Sequence, residues 1–306
     1  MPPPPDGRPA NRPIRIVTIS TLFPNAAQPR HGIFIEHRLR YLQHSGRVAM
    51  EIFAPVPWFP WSNPRFGAYA QFARAPYFAE RGPFRIHHPR YLVLPKMGMS
   101  VTPATLALSL VGPIRAFIRQ SGDFDLINAF YFYPDGVAAA LLGAVFGKPV
   151  VIHALGTDIN LIPKYPLPRA MIRWAAGRAA GISTVCQALK DELCALGVPS
   201  NKVRIILHGV DLELFQPPVD RDADRAALGL NSRTLISVGH LIERKGHDLV
   251  IGALPSLPGY SLLIAGEGPE RARLERLAGQ LNVSDRVRFL GDVPHGELID
   301  ELQCMI

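Results

Sequence analysis

The chain has 306 residues, enough for two domains of ordinary size or one large one. Apolar residues make up 48% and charged residues 19%, which excludes a wholly disordered chain, a collagen-like repeat and a small disulfide-stapled scaffold. Lys and Arg outnumber Asp and Glu by 33 to 25, a net charge of +8, and that surplus favours anionic partners such as nucleic acid, acidic membrane or phosphorylated small molecules without choosing among them.

Residues 1–13, MPPPPDGRPANRP, hold six prolines among polar residues and lack the charged-then-apolar layout of a signal peptide. They are expected to form a disordered leader. A first strand is predicted at Ile14–Ser20. Gly32 then opens a helix whose Ile35, Leu39 and Leu42 share one face. A second strand is predicted near Val48–Ala54. Residues 55–83 are rich in Pro and aromatics and read as irregular. Further strands are predicted at Phe84–His87, Leu126–Phe130, Val150–Leu155, Gly181–Val185 and Val203–Leu207. Helices fit between them at about 102–119, 135–146, 167–178 and 187–196. The longest uncharged run, Met97–Ile114, contains Pro103 and Pro113; Pro113 is expected to interrupt a membrane-spanning helix there, so a buried or interfacial helix is expected instead.

Residues 208–219 (HGVDLELFQPPV) read as a connector, after which the alternation restarts. Strands are predicted at Thr234–Val238, Ser261–Ala265 and Val287–Leu290, with helices near 246–254, 269–281 and 295–303. Strands alternating with helices imply parallel sheets covered on both faces. The expected organisation is therefore a leader (1–13), a first domain (14–207), a linker (208–219) and a shorter second domain (220–306).

The segment SVGHLIERKGHDLVIGAL (237–254) carries the sharpest chemical signal. A strand ends at Val238, Gly239 allows close backbone approach, and His240, Arg244 and Lys245 precede a helix start near Gly246. Cations beside a helix N-terminus at the carboxyl end of a strand make an anion site. Gly266-Glu267-Gly268-Pro269 follows the next strand as a GxG turn into a helix, and Arg30-His31-Gly32 occupies the first turn of the first domain. Cys186, Cys194 and Cys304 form neither a CxxC pair nor a metal-ligand spacing, and their sparse, odd count fits a reducing compartment. Asp123-Phe124-Asp125 mimics a metal-binding DxD but precedes a strand, and reads as a polar loop. The aromatic stretch 58–78, with Arg65 and Arg74, and the helix carrying Arg169, Arg173 and Trp174 are candidates for surface contacts.

Taken in order, ISTLFPN…QPRHGIFIEHRLRYL (19–42), GTDINLIP (156–163), STVCQALKDEL (183–193), HGVDLELFQP (208–217), VGHLIERKG (238–246), IAGEGPE (264–270) and VRFLGDVPHGEL (287–298) resemble a family 4 glycosyltransferase. They resemble the bacterial branch that builds exopolysaccharide, capsule or teichuronic-acid type polymers. The resemblance implies the GT-B fold, α/β with two Rossmann-like domains, the acceptor on the first and a nucleotide-diphosphate sugar on the second. It also implies a retaining transfer without metal or other cofactor. With no signal-peptide layout, a cytoplasmic enzyme is expected, in contact with a saccharide or lipid-linked acceptor and with the inner face of the plasma membrane, and with no nucleic acid partner.

Carried over residue by residue, Lys245 matches the lysine on the donor diphosphate, and His240 stands where the family has an arginine, with Arg244 the compensating charge. Gly32 and Gly239 match the diphosphate loops. Gly266, Gly268, Asp292 and Val293 match the nucleoside side, and Asp158 and Asn160 the acceptor side. His153 lies two residues before Leu155, where the family often has His or Arg, and is a catalytic candidate with Lys245 and Arg244. The family continues with a strand and a pair of glutamates eight residues apart. The spacing of Glu267 and Glu275 is read as coincidence, so the second domain is expected to be incomplete. The competing expectation is a remnant that binds acceptor or partner without catalysis.

Overall fold

The computed structural model describes residues 12–58, 63, 72–73, 75–93, 98–212, 215–216, 219–227, 229–230 and 233–293. The Pro-rich leader up to Asn11, Arg65, Arg74, most of the 58–78 stretch, Cys304 and the helix predicted at 295–303 lie outside the described residues. The chain divides into two compact units, 1–209 and 210–306.

The first unit begins with β1 (Ile14–Ile19), α1 (Ile33–His44), β2 (Val48–Phe53), β3 (Val56–Pro57), β4 (Phe78–Arg81), β5 (Phe84–His87) and β6 (Arg90–Tyr91). It continues with α2 (Gly98–Ser121), β7 (Leu126–Phe130), α3 (Val137–Phe146), β8 (Val150–Ala154), α4 (Thr157–Asn160), α5 (Pro166–Arg178), β9 (Gly181–Thr184), α6 (Gln187–Ala195) and β10 (Val203–Ile205). Eight strands form one sheet in the order β10-β9-β8-β7-β1-β2-β5-β4, while β3 and β6 pair apart. Successive side chains of a strand point to opposite faces. Val17 and Ile19 accordingly join the core under α2, α3, α5 and α6, and Ile16 joins the core under α1 with Ile35 and Leu39.

Two expectations are corrected here. Residues 55–83 are not wholly irregular: β4 pairs antiparallel with β5, Phe78 opposite His87 and Arg81 opposite Phe84. Half-exposed along its length, β4 shows no apolar alternation in the sequence. It is tied down instead by buried Glu36 of α1, which accepts from Arg81 at 2.8 Å and Arg40 at 2.7 Å. The helix predicted at about 102–119 forms as α2; the second correction is that it runs through both Pro103 and Pro113 without the interruption expected at Pro113. A helix-interior proline costs about 3 kcal/mol. Burial of Leu106, Leu110 and Ile114, each 0% exposed, contributes about 1.5–3 kcal/mol per side chain and outweighs it. This helix is long and apolar enough to cross a membrane; here one face packs on α3 and α5.

The second unit contains α7 (Arg221–Ala227), β11 (Arg233–Val238), α8 (His247–Ala253), β12 (Tyr260–Ala265), α9 (Arg271–Gln280) and β13 (Val287–Gly291). Its three strands are parallel in the order β11-β12-β13. Leu241, Ile251, Leu254, Leu262, Ile264 and Leu274 form its core. Among the described residues, β11 is paired on one side only.

Candidate functional site

In the second unit, the three loops leaving the carboxyl ends of the strands are bonded backbone to backbone. Gly239 N–H donates to Ala265 C=O at 2.9 Å, Leu241 N–H to Glu267 C=O at 2.9 Å, and Gly266 N–H to Gly291 C=O at 2.7 Å. This is why glycine stands at two positions. A Cβ on Gly266 would lie 1.9 Å from the Gly239 oxygen, and one on Gly268 would lie 2.4 Å from the Leu241 oxygen. The GxG turn is thus demanded by close backbone approach, whatever it binds.

The basic loop sits on this interlocked platform. Glu243–Lys245 form a single 3-10 turn, closed by Gly246 N–H to Glu243 C=O at 3.0 Å with Gly246 at φ +68°. The Lys245 stem lies across Gly239, its Cδ and Cε 3.7 and 3.8 Å from where a glycine Cβ would be. His240, Arg244 and Lys245 are all exposed. Among the described residues neither cation has a carboxylate partner. The structure therefore brings Gly239, Lys245 and the GxG turn together, with exposed Asp292 and half-buried Val293 directly after β13. The helix that follows, α8, has only seven residues, so its dipole adds little and the site rests on side-chain charge. Glu267 and Glu275 both pair with Arg271, at 2.7 and 3.0 Å, on the outside of α9.

In the first unit, strand order reverses between β1 and β7, the place where open α/β sheets form a crevice at their carboxyl ends. Gly32, at φ +68°, packs on the loop after β1, where a Cβ would meet the Leu22 oxygen at 2.2 Å. A cavity of about 200 Å³ opens there, lined by Thr21, Asn25, Gln28, His31, Tyr91 and Val56 among others. Burial lowers the His31 pKa, which leaves a neutral ring and weakens it as a phosphate contact. Behind Thr21 lies Asp135, fully buried. Its Oδ2 accepts from the Thr21 N–H at 3.1 Å and the Thr21 hydroxyl at 2.9 Å, while its Oδ1 is buried without a partner. Burial, assisted by the charge of Asp158, pushes the Asp135 carboxyl up to about 7 against the pull of the Thr21 bonds.

Two expected site residues are corrected. His153 is buried in β8, stacked on Phe130 with ring centroids 4.3 Å apart. Its Nδ1 meets the Ser183 hydroxyl and its Nε2 meets Asn128 Oδ1 at 2.6 Å. Burial, and then the Arg38 charge, lower its pKa to about 3. With both nitrogens occupied and the ring neutral, it has nothing to offer a reacting group. Asp158 is likewise no ligand: 0% exposed, it accepts from the N–H groups of Phe132, Gly156 and Leu155 at 2.6, 2.7 and 3.1 Å. It clamps the loops after β7 and β8 together. Asn160 stays exposed. The DxD carboxylates are taken up at the opposite end of the sheet, Asp123 by Lys148 at 2.5 Å and Asp125 by the Arg15 N–H at 2.8 Å.

Sequence reasoning passed over Thr21, Asp135 and His247. Asp135, between Pro134 and Gly136, reads as a helix start, and His247 reads as the first turn of the helix that begins near Gly246.

Residues 69–214 match the family model described as Glycosyltransferase Family 4, and residues 220–304 match that described as Glycosyl transferases group 1. The chain belongs to the family 4 glycosyltransferases. It is 38% identical over 214 residues to a D-inositol 3-phosphate glycosyltransferase of Mycobacterium bovis, covering 64% of this chain and 44% of that one. It is 25% identical over 268 residues to a teichuronic acid biosynthesis glycosyltransferase of Bacillus subtilis, covering 85% and 67%. Sucrose-phosphate synthase of Thermosynechococcus elongatus superposes with a TM-score of 0.69 at 19% identity, over 95% of this chain and 73% of that one. Anabaena HepE, solved in complex with UDP, gives 0.63 at 18%, over 93% and 71%. The shared fold is GT-B, each unit Rossmann-like. The family 4 chain described here spans about half the length of the first curated relatives it matches, 49% and 53%.

Proposed function

We propose that the chain is a retaining glycosyltransferase that moves a sugar from a nucleotide-diphosphate sugar to a saccharide or lipid-linked acceptor in cell-surface polysaccharide synthesis. The observation that carries this reading is the Lys245 stem laid across Gly239 at the end of β11, with Arg244 exposed beside it. As the glycosidic bond to the leaving group breaks, negative charge gathers on the diphosphate, and fixed cations there stabilise it. Lys245 and Arg244 supply that charge. Gly266, Gly268, Asp292 and Val293 flank the nucleoside.

The acceptor belongs to the crevice of the first unit, whose polar lining of Thr21, Asn25 and Gln28 suits hydroxyl-rich ligands. No protein nucleophile and no metal are required, because in a front-face route the leaving phosphate takes the acceptor proton. The teichuronic acid relative supports a cell-surface product.

A cytoplasmic protein touching the inner membrane face fits the surface of α5. Residues 159–190 carry five Lys and Arg and no Asp or Glu, and Leu161, Tyr165 and Leu167 are exposed beside them, a composition suited to anionic lipid.

The test is calorimetric titration of the chain with UDP, GDP, ADP, CDP and dTDP, followed by NMR of the anomeric configuration of any transfer product. Binding of one nucleotide and a product with the donor's configuration are expected. Failure to bind any of the five refutes the reading.

A further inference from the structure

One polar group next to the basic loop has no use in the reading above. His247, the first residue of α8, is 2% exposed. Its Nδ1 lies 2.8 Å from the Ser237 hydroxyl, and its Nε2 is buried with no partner. A buried, unsatisfied imidazole nitrogen is costly to keep, so its direction is informative. The Cβ that Gly239 lacks would stand 3.9 Å from Nε2 and 3.7 Å from Lys245 Cδ. The missing side chain therefore leaves a one-atom cradle with the imidazole on one side and the lysine stem on the other. When Ser237 donates its O–H to Nδ1, Nε2 carries the proton and faces the cradle as a donor. An oxygen settling there would accept from Nε2 while lying beside the chain that carries the Lys245 ammonium.

We propose that this cradle is an oxyanion seat. The His247 Nε2–H donates to a phosphate oxygen of the same nucleoside diphosphate that Lys245 binds, which makes His247 a donor-site residue alongside Lys245. The inference rests on the donor-loop reading given under Proposed function and names a contact within it. Gly239, already favoured as glycine by its φ of +150°, gains a second reason: a side chain there would crowd the seat. The seat holds phosphate rather than base, so the effect should be the same for any nucleoside.

The experiment titrates the full chain and its His247→Leu, His247→Gln and Lys245→Ala variants with UDP, GDP and inorganic pyrophosphate, and records thermal unfolding of each. Leucine fills the space without a donor. Glutamine carries its amide N–H₂ near the place of Nε2. His247→Leu is expected to weaken whichever probes bind by about tenfold with its unfolding temperature preserved, and His247→Gln to recover to within about threefold. With the side chains labelled with ¹⁵N-histidine, the His247 Nε2 resonance should move on addition of pyrophosphate. Wild-type affinity in His247→Leu, or a loss that glutamine does not recover, overturns the seat. If instead Lys245→Ala binds as tightly as the wild type, or the wild type binds none of the probes, the donor-loop reading falls and the seat with it.

Discussion

Replacing Asp135 by asparagine should raise the stability of the first unit, and by an amount that grows with pH. The carboxyl is fully buried and its pKa rises from an ordinary 3.8 to about 7. A carboxylate raised in the folded state favours folding while protonated. The stability present below about pH 4 is therefore lost as pH climbs through the interval from 4 to 7 and stays lost above it. At about 1.4 kcal/mol for each pH unit between the two values, the penalty is about 1.5 kcal/mol at pH 5 and about 4 kcal/mol at pH 8. Asparagine keeps an oxygen for the two Thr21 donors and cannot ionise. Its N–H₂ takes the place of the unpartnered Oδ1, so the orphan-group cost is similar on both sides. The variant should gain about 2.5 kcal/mol more at pH 8 than at pH 5. For a unit of this size that corresponds to about 5–10 °C in midpoint. Urea or thermal unfolding of both proteins across pH 5 to 8 measures it. The wild-type curve alone is ambiguous, because His31, His88, His153 and His208 all have lowered pKa values and lose stability in the opposite direction, as pH falls. The difference between the two proteins isolates Asp135. An equal effect at both pH values, or a variant destabilised throughout, would refute the reasoning.

Lys245→Ala should weaken nucleoside diphosphate binding by about 1.5–3 kcal/mol, the scale of a charge-assisted hydrogen bond, and calorimetry showing unchanged affinity removes its diphosphate role. Replacing Glu267 and Glu275 together by glutamine should leave binding of the nucleotide-diphosphate sugar within a few-fold, since both are spent on exposed pairs with Arg271; a hundredfold loss would show that their spacing marks the donor site. Hydrogen exchange should be fast at 234–238, where β11 is paired on one side among the described residues, and slow at 14–19 and 150–154 in the middle of the large sheet. Equal protection in a monomer would mean that the free edge of β11 is covered.

Strand and helix positions were legible wherever burial writes a pattern. Val17 and Ile19 alternate with Ile16 on a sheet covered on both faces, and the Val48–Phe53, Leu126–Phe130 and Tyr260–Ala265 strands carry runs of the same kind. β4 was illegible because it is held by the buried Glu36 carboxylate from another element, and ion pairing leaves no periodicity. The helix over 102–119 was legible, but its continuity through Pro113 was not, because local backbone cost was weighed without the core beneath it. At the candidate site, charge was legible but occupancy was not. Lys245 and Arg244 stand out as cations in any reading. By contrast, His153 and Asp158 resemble ligands until Asn128, Ser183 and three backbone N–H groups from distant segments are seen to claim them. Asp135 and His247 were missed for the converse reason. Only the fold reveals that each is buried with one atom unpaired.

The interlocked loops of the second unit bear on how this protein can change. Main chain rests on main chain at Gly266 and Gly268, so substitution there would disturb two strand ends at once, and the backbone of the site is closed to gradual variation. What stays adjustable is the small set of side chains standing outward from that platform: His240, Arg244, Lys245 and Asp292. A search for altered donor preference should therefore randomise His240 and Asp292 and leave the glycines and the two diphosphate cations alone. Libraries that replace Gly266 or Gly268 should return mostly unfolded protein.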